Sequence, residues 1–453
     1  MKSGHSIADS GFTLPSMEHV VRVLLLEEFN TRVVVLGIMA LGVAAGLVGT
    51  FLLLRKRALT ADALSHATLP GIAIAFMVMV GLGGSGKVIG GLLIGAFVLG
   101  CVGVLLILAI RRTTHLKDDA AIGIVLSVMF GLGICLLRLA QELPSGSAAG
   151  LGGFVFGKAA SMVPSDAWGM LVMALMAGIA AALLRKELTL LCFDESFASS
   201  QGWSTLWLDV LLMALVAAVT VVALQSVGLV LAVAMLIIPA AAARYWTQRV
   251  SSMLIAAAII GCLGGWLGGV VSAIVPRMPT GPVIVLVFGF WFVISFVAGS
   301  NDGLVLRAIR RISLARRVSM QNLLRAFWEC SDSSSDTTVA VDDIVGRRSW
   351  SNRRVRGLLS RGRRRGLVGK AARGKWSLTD KGSAHAQRVV RNHRLWEAYL
   401  VHFADIAANH VDRDADQVEH ILGRTMVERL EATLGMETDA LPVSPHDLEG
   451  GSS

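Results

Sequence analysis

Nine long stretches with few or no charged residues dominate the first two thirds of this 453-residue chain. They lie at 33–54, 63–82, 88–110, 120–137, 167–184, 210–224, 227–243, 252–275 and 281–299. Most approach the ~20 apolar residues that a helix needs to cross a bilayer. Because lipid cannot hydrogen-bond the backbone and the stretches lack barrel-like alternation, each crossing must be helical. The sequence predicts an all-α polytopic membrane domain with eight or nine transmembrane helices, since 210–224 and 227–243 are short and broken near Gln225–Gly228.

Charge is distributed unevenly between the two ends of the chain. Residues 1–300 carry 17 Lys and Arg and 13 Asp and Glu, whereas residues 301–453 carry 25 and 19. Only 16% of the whole chain is charged and 54% is hydrophobic, which excludes a single soluble enzyme domain and a disordered chain. The two parts must therefore lie in different solvents.

Lys and Arg cluster at alternate connections between the apolar stretches. The clusters are Arg55–Arg57, Arg111–Lys117, Arg185–Lys186, Arg244–Arg249 and Arg307–Arg311. The positive-inside rule places these connections in the cytoplasm. It places residues 145–164 outside and the charged tail inside, and it predicts an external N-terminus for nine spans or an internal one for eight.

Two ionisable residues, Asp62 and His66, lie at the start of the second apolar stretch. Positions i and i+4 share one helix face. A carboxylate and an imidazole suit Mn(II), Fe(II) or Zn(II), and Pro70–Gly71 can bend the helix beside them. Ionisable groups inside membrane spans mark transport paths. The alternatives are two interfacial side chains that bind nothing, or an aspartate that caps the helix.

A glycine-rich segment at Gly81–Val88 imitates a nucleotide-binding loop. Val88 stands where that motif needs Ser or Thr for Mg²⁺, and no soluble strand precedes the segment. The sequence therefore predicts a turn between two spans. We expect no enzymatic activity from this chain, so that a separate subunit must hydrolyse ATP.

Several motifs resemble the membrane permeases of bacterial metal-ion ABC importers, the manganese, zinc and iron class. They are Leu53–Leu59 leading into Asp62–Gly71, Asp119–Val125, Val227–Ala241 and Pro279–Pro282. The resemblance covers roughly residues 20–300. It implies that Asp62 and His66 line the metal path.

The same resemblance implies that Cys192–Gly202 is the cytoplasmic loop that docks on the ATPase. It assigns the coupling contact to Asp194, Glu195, Phe197, Ala198 and Gly202. Without the resemblance, the segment is an ordinary interfacial linker helix.

The tail contains a strongly basic segment. Residues 347–375 hold twelve Arg and Lys and no acid, and the apolar residues Val355, Leu358, Leu359 and Leu367 recur at helical spacing. Gly366 ends this predicted helix, and Lys375–Thr379 predicts a strand. A helix, a basic helix and a hairpin describe a winged helix, whose basic face suits nucleic-acid phosphates. A membrane-surface patch and an ordinary solvated face are the alternatives.

Residues 319–435 resemble the iron- and manganese-dependent repressors related to the diphtheria toxin repressor. The matching segments are Gly366–Val368, Leu378–Gly382, His393–Glu397 and Asp416–His420. The resemblance places metal ligands at His393, Glu397, Asp416, Glu419 and His420. Charged helices also give such spacing by chance. The first helix departs from the family, because Gln321, Asn322 and Arg325 stand where it carries acids.

We predict the permease subunit of an importer for divalent manganese, zinc or iron in the bacterial inner membrane. The metal is the substrate and a regulator, with no cofactor for catalysis. Expected partners are an ABC ATPase, an extracytoplasmic metal-binding protein, a second permease copy or sister permease, and lipid. The alternative is a membrane-tethered, metal-dependent DNA-binding regulator.

The predicted domain order has five parts. An N-terminal segment occupies 1–31, the permease 32–300, and a basic juxtamembrane linker 301–318. The winged-helix metalloregulator-like domain occupies 319–435, and a flexible tail 436–453.

Overall fold

The computed structural model describes residues 16–84, 86, 88–142, 162–275, 280–332, 337–348, 350–403 and 424–434. The chain divides into two compact units, Met1–Arg307 and Ala308–Ser453. Among the predicted site residues, Asp416, Glu419 and His420 lie outside the described residues.

The first unit is helical throughout its described part. Its helices are α1 Met17–Leu24, α2 Phe29–Leu54, α3 Ala58–Gly81, α4 Ile89–Thr113, α5 Asp118–Gln141, α6 Pro164–Leu183, α7 Arg185–Phe193, α8 Glu195–Ser200, α9 Thr205–Val227, α10 Leu229–Arg244, α11 Val250–Ile274 and α12 Thr280–Ala298. Several of the spanning helices extend past the apolar stretches, because their terminal turns carry the flanking charged residues. Within the described residues, eight helices are long and apolar enough to cross a membrane, which confirms the predicted class.

The short helix α10 adds a ninth apolar segment to the eight long helices of the described residues. Gly228, with φ +82°, separates it from α9 and adopts a conformation that favours glycine. A Cβ on Gly281, at the start of α12, would lie 3.4 Å from the Val227 carbonyl oxygen. At the other end, the Tyr245 carbonyl accepts a hydrogen bond from Asn301 N at 3.0 Å. The 16-residue α10 therefore runs beside α12 from one end to the other, as a ninth segment.

Helix α2 lies at the centre of this unit and packs against α6, α10 and α11. Its glycines allow the backbones to touch: a methyl group on Gly42 would overlap the Gly261 carbonyl, and the converse also holds. Such small-residue contacts are how helices associate in lipid, where apolar side chains gain little by leaving one apolar solvent for another.

Helix α3, which carries Asp62 and His66, packs between α4 and α5. A Cβ on Gly71 would overlap the Gly95 carbonyl of α4, and a Cβ on Gly133 of α5 would lie 3.1 Å from the Pro70 ring. Pro70 itself lies inside the helix. These contacts hold the apolar half of α3 firmly, so its ionisable half is fixed in position.

The second unit contains helices and a small sheet. Its elements are α13 Leu304–Asp332, which begins in the first unit, β1 Thr338–Val339, α14 Val341–Arg348, α15 Asn352–Arg364, β2 Val368–Lys370, β3 Trp376–Leu378, α16 Asp380–Phe403 and α17 Arg424–Leu434. The antiparallel strand order is β1-β3-β2. Helix α13 continues without interruption through the residues predicted as a linker.

The core of this unit confirms the predicted winged helix. Val355, Leu358 and Leu359 of α15 are buried against Leu323 and Phe327 of α13. Gly366, with φ +67°, ends the basic helix and leads into the β2–β3 hairpin, as the sequence predicts. The basic residues of α15 therefore lie on its outer face, because its apolar stripe is buried.

Candidate metal path and coupling surface

Asp62 and His66 lie one turn apart on α3, with Asp62 Oδ1 and His66 Nε2 separated by 3.5 Å. Helix α3 begins at Ala58, with Arg57 at its N-cap, so Asp62 lies in the second turn and does not cap the helix. The side chains are 37% and 17% exposed. Both groups are therefore reachable from one side while the rest of the turn is buried.

The two ring nitrogens of His66 have different surroundings, since Nε2 faces Asp62 and Nδ1 does not. The ring meets the edge of Phe130 with centroids 4.8 Å apart, and its Nδ1 atom is buried without a hydrogen-bond partner among the described residues. A buried polar atom without a partner is costly. Nδ1 points away from Asp62, so a metal ion shared by the two residues would bind Nε2, which lies 3.5 Å from the Asp62 carboxylate oxygen.

A buried ion cluster lies at the end of the unit where α3 begins. Arg57 Nη1 lies 2.7 Å from both carboxylate oxygens of Asp209, and Arg55 Nη2 lies 3.2 Å from Asp209 Oδ1. Asp209, on α9, is 4% exposed and Arg57 is 6% exposed. Sequence patterning does not identify this cluster, although an aspartate at the start of a membrane span is a signal of function.

Two further helices reach the same cluster. Arg111 of α4 lies 4.0 Å from Asp209 and forms an ion pair with Asp118 of α5, with Nε 2.9 Å from Oδ1. Asp118 Oδ2 is also 3.9 Å from Arg57 Nε. The cluster, which we call the Asp209 cluster (Arg55, Arg57, Arg111, Asp118, Asp209), thus joins the starts of α3, α5 and α9 to the end of α4.

The predicted coupling segment is the short helix α8. Asp194 caps it, accepting a hydrogen bond from Phe197 N at 2.8 Å, and Gly202 follows it with φ +86°. Ala198 is fully buried, whereas Phe197 is 50% exposed. The helix therefore presents an aromatic side chain to solvent while its small residue packs inward, a form suited to docking.

Arg55 joins this coupling segment to the Asp209 cluster. Its Nη1 atom donates to the Leu191 carbonyl at 2.9 Å and to Glu195 Oε2 at 3.2 Å. Beside it, burial raises the pKa of the Cys192 thiol to about 12; the Arg55 charge opposes this rise and Asp209 adds to it. One guanidinium thus contacts residues of α7, α8 and α9.

In the tail, the predicted ligands His393 and Glu397 already have a cation beside them. His393 Nε2 lies 2.9 Å from Glu397 Oε1, and Arg325 Nη1 lies 3.0 Å from His393 Nδ1. The three residues are between 2% and 8% exposed. No group of three or more His, Cys, Asp or Glu residues that could hold a metal occurs in the described ranges. The described pair, as arranged, does not fit a bound metal.

Comparison with known proteins finds a family match in each unit. Residues 27–299 match the ABC 3 transport family, and residues 379–446 match the iron dependent repressor, metal binding and dimerisation domain. The solved structure of PsaBC from Streptococcus pneumoniae in complex with Fab has a TM-score of 0.54 and 30% identity. It covers 63% of this chain and 96% of that chain.

Two curated relatives show how far the likeness extends. The manganese transport system membrane protein MntC of Bacillus subtilis is 36% identical over 94% of this chain and 97% of its own length. The zinc transport system membrane protein TroC of Treponema pallidum is 41% identical over 65% of this chain and 96% of its own length. The first likeness covers almost the whole chain, including most of the tail, whereas the second covers 296 residues. The chain is a membrane permease that belongs to the ABC 3 transport family.

Proposed function

We propose that this permease imports a divalent transition metal ion along a path that includes Asp62 and His66. The observation that carries the proposal is the facing pair on α3, in which His66 Nε2 lies 3.5 Å from Asp62 Oδ1 and both side chains are partly exposed. The names of the relatives support manganese or zinc as the ion, and iron has the same ligand preferences. The Bacillus relative spans both units, so manganese is the first ion to test.

The energy for transport comes from a separate ATPase that docks on α8. The exposed Phe197 supports this assignment, because an aromatic side chain can fill a pocket on a partner. Arg55 connects α8 to the Asp209 cluster, and Arg57 in that cluster is the residue just before α3. A displacement of α8 is therefore transmitted to the helix that carries Asp62 and His66.

The permease works in the bacterial plasma membrane with its tail in the cytoplasm. The Asp209 cluster contains Arg55, Arg57 and Arg111, which the positive-inside rule assigns to that side, and Arg55 joins it to α8. An external metal-binding protein delivers the ion. A second permease copy or a sister permease completes the pore.

The tail is a regulatory domain that responds to cytoplasmic metal. Its match to a metal binding and dimerisation domain supports this role. A ligand can bias the transporter only if it prefers one conformation of the tail. The alternative of a tethered DNA-binding regulator is less favoured, because an anchor needs neither the paired Asp62 and His66 nor an exposed α8.

Uptake by reconstituted protein tests the function. The chain is placed in vesicles with its ATPase, its binding protein and ATP, and Mn(II) entry is measured. Asp62→Ala and His66→Ala should each abolish uptake. Matched controls are Glu142→Ala and His115→Ala, whose side chains are exposed and lie outside the candidate path.

The outcome is read against ATPase binding in the same vesicles. Loss of uptake with the ATPase still bound, and unchanged uptake in both controls, supports the path. Uptake at the unmutated rate in both site variants would overturn it. Uptake that proceeds equally well without the ATPase would instead identify a channel or secondary carrier.

A further inference from the structure

The His393–Glu397 pair of the tail is approached by a guanidinium on another helix. Arg325 lies on α13 and both members of the pair lie on α16. Arg325 Nη1 is 3.0 Å from His393 Nδ1, and Arg325 Nε donates to Glu329 Oε1 at 2.7 Å. The glutamate on its own helix thus holds the guanidinium in place, with the other end directed at the imidazole.

Hydrogen-bond chemistry determines what the imidazole can offer. A guanidinium has only donors, so Nδ1 of His393 must present its lone pair to Arg325. The ring proton then lies on Nε2, which donates to Glu397 Oε1 at 2.9 Å. Both ring nitrogens therefore take part in hydrogen bonds, Nδ1 as acceptor from Arg325 and Nε2 as donor to Glu397. A metal ion needs one of those lone pairs, and neither is available while Arg325 keeps its position.

Electrostatics also opposes metal binding at the His393–Glu397 pair while Arg325 lies beside it. His393 and Glu397 are 3% and 2% exposed, and Arg325 is 8% exposed. Charges this deeply buried interact strongly, and a second cation added beside the guanidinium would be repelled in a medium that screens poorly. A divalent ion must therefore displace the guanidinium before it can bind the pair.

We infer that Arg325 is a built-in competitor for metal at the tail site, occupying the cation position between α13 and α16. This inference rests on the proposed regulatory role of the tail. It deepens that role, because the cytoplasmic metal level at which the tail responds is then set by the exchange of a guanidinium for a metal ion. Arg325 also links α13 to α16, and Arg391 of α16 forms an ion pair with Glu431 of α17 at 2.7 Å.

Direct binding measurements test the inference on the full chain. The chain is purified with its ATPase in an Asp62→Ala/His66→Ala background, which removes the proposed transport site. Mn(II) binding is measured by equilibrium dialysis, and hydrogen exchange is followed over α16. Arg325→Gln removes the charge at similar length and should tighten Mn(II) binding by about tenfold or more, the worth of a charged hydrogen bond. Mn(II) should then slow exchange around His393.

Two further variants separate charge from packing. Arg325→Lys keeps a cation and should bind Mn(II) as weakly as the parent. Glu329→Gln loosens the support of the guanidinium, and because Glu329 is 29% exposed this change is tolerated if Arg325→Gln fails to fold. It should tighten binding by a smaller factor than the loss of the charge.

An increase in Mn(II) affinity cannot result from a damaged fold, because a damaged domain would bind Mn(II) more weakly. Equal affinity in the parent and both Arg325→Gln and Glu329→Gln would overturn the inference. An equal gain in Arg325→Lys, or no binding in any variant, would also overturn it. Uptake by the chain with Asp62 and His66 intact is a separate measurement, so failure of the proposed transport function leaves this result readable.

Discussion

Arg57 Nη1 lies 2.7 Å from each carboxylate oxygen of Asp209, a contact between residues 152 positions apart in the chain. Arg57 is the residue just before α3, and Asp209 lies in the first turns of α9. Both side chains are almost fully buried. The contact therefore fixes the start of the helix that carries Asp62 and His66, and it does so at the end of the unit where α8 lies.

The first prediction concerns Asp209→Asn. Removing this carboxylate leaves the guanidinium groups of Arg55 and Arg57 buried without their shared anion. Breaking a buried pair in this way costs about 3–5 kcal/mol. We expect a clear fall in the midpoint of thermal unfolding of the detergent-purified protein.

The control is the exposed pair Arg138–Glu142, whose side chains are 74% and 64% exposed. Glu142→Gln should change stability by less than about 1 kcal/mol. Equal melting of Asp209→Asn and the unmutated protein would mean that the Asp209 cluster does not hold the helices together.

The second prediction concerns Phe197 on α8. Phe197→Ala removes an exposed aromatic side chain while the buried Ala198 and the Asp194 cap remain. We expect the ATPase to be lost from the purified complex, because truncation of a central aromatic anchor costs about 2 kcal/mol or more of binding energy. Co-purification of the two subunits measures the effect.

Phe97→Ala provides the matched control, since Phe97 is an exposed aromatic residue on α4, within a membrane-spanning helix. It should leave the ATPase bound. Undiminished co-purification with Phe197→Ala would assign the docking contact to another segment.

The third prediction concerns the contact between α2 and α11. Gly42→Ala places a methyl group against the Gly261 carbonyl, where the two backbones touch. Overpacking of this kind costs about 1–3 kcal/mol. We expect a lower unfolding temperature and a lower yield of folded protein.

Gly178→Ala on α6 is the matched control, because nothing lies within 4 Å of its added methyl group. It should match the unmutated protein. A Gly42→Ala variant that melts no earlier than Gly178→Ala would contradict the close helix contact.

The fourth prediction concerns the reactivity of Cys192. Burial raises the pKa of its thiol to about 12, so the reactive thiolate is scarce at pH 8 and becomes abundant only as the pH approaches that value. Alkylation at pH 8 should be about 40- to 100-fold slower than for an ordinary thiol, after allowing for the greater nucleophilicity of a basic thiolate.

Ser200→Cys supplies the ordinary thiol, because Ser200 is exposed on α8. Labelling of each site is followed by mass spectrometry between pH 7 and pH 10, a range chosen to bracket an ordinary thiol pKa of about 8.5. Rates for the two sites that agree within about threefold at pH 8 would show that Cys192 is neither buried nor perturbed.

Hydrophobic patterning predicted the class of the fold but left the number of crossings open. The membrane helices can be recognised in the sequence because a span in lipid must be apolar along its whole length. The apolar stretch 227–243, which forms α10, is shorter than a typical membrane span, so its length alone does not show whether it is a crossing. Its neighbours decided the question, since Val227 lies beside the start of α12 and Tyr245 beside its end.

The sequence alone determined the apolar spans, the i, i+4 pairing of Asp62 and His66, and the basic helix of the winged-helix domain, because each follows from spacing along one segment. The match of Arg57 to Asp209 and of Arg325 to His393 was decided only by tertiary structure. Each joins residues far apart in the chain, and no local pattern records which distant charge will be buried against which. The spacing of His393 and Glu397 correctly predicted that they meet on one helix face. It could not reveal that Arg325 of α13 also lies against His393, because that contact joins two distant segments.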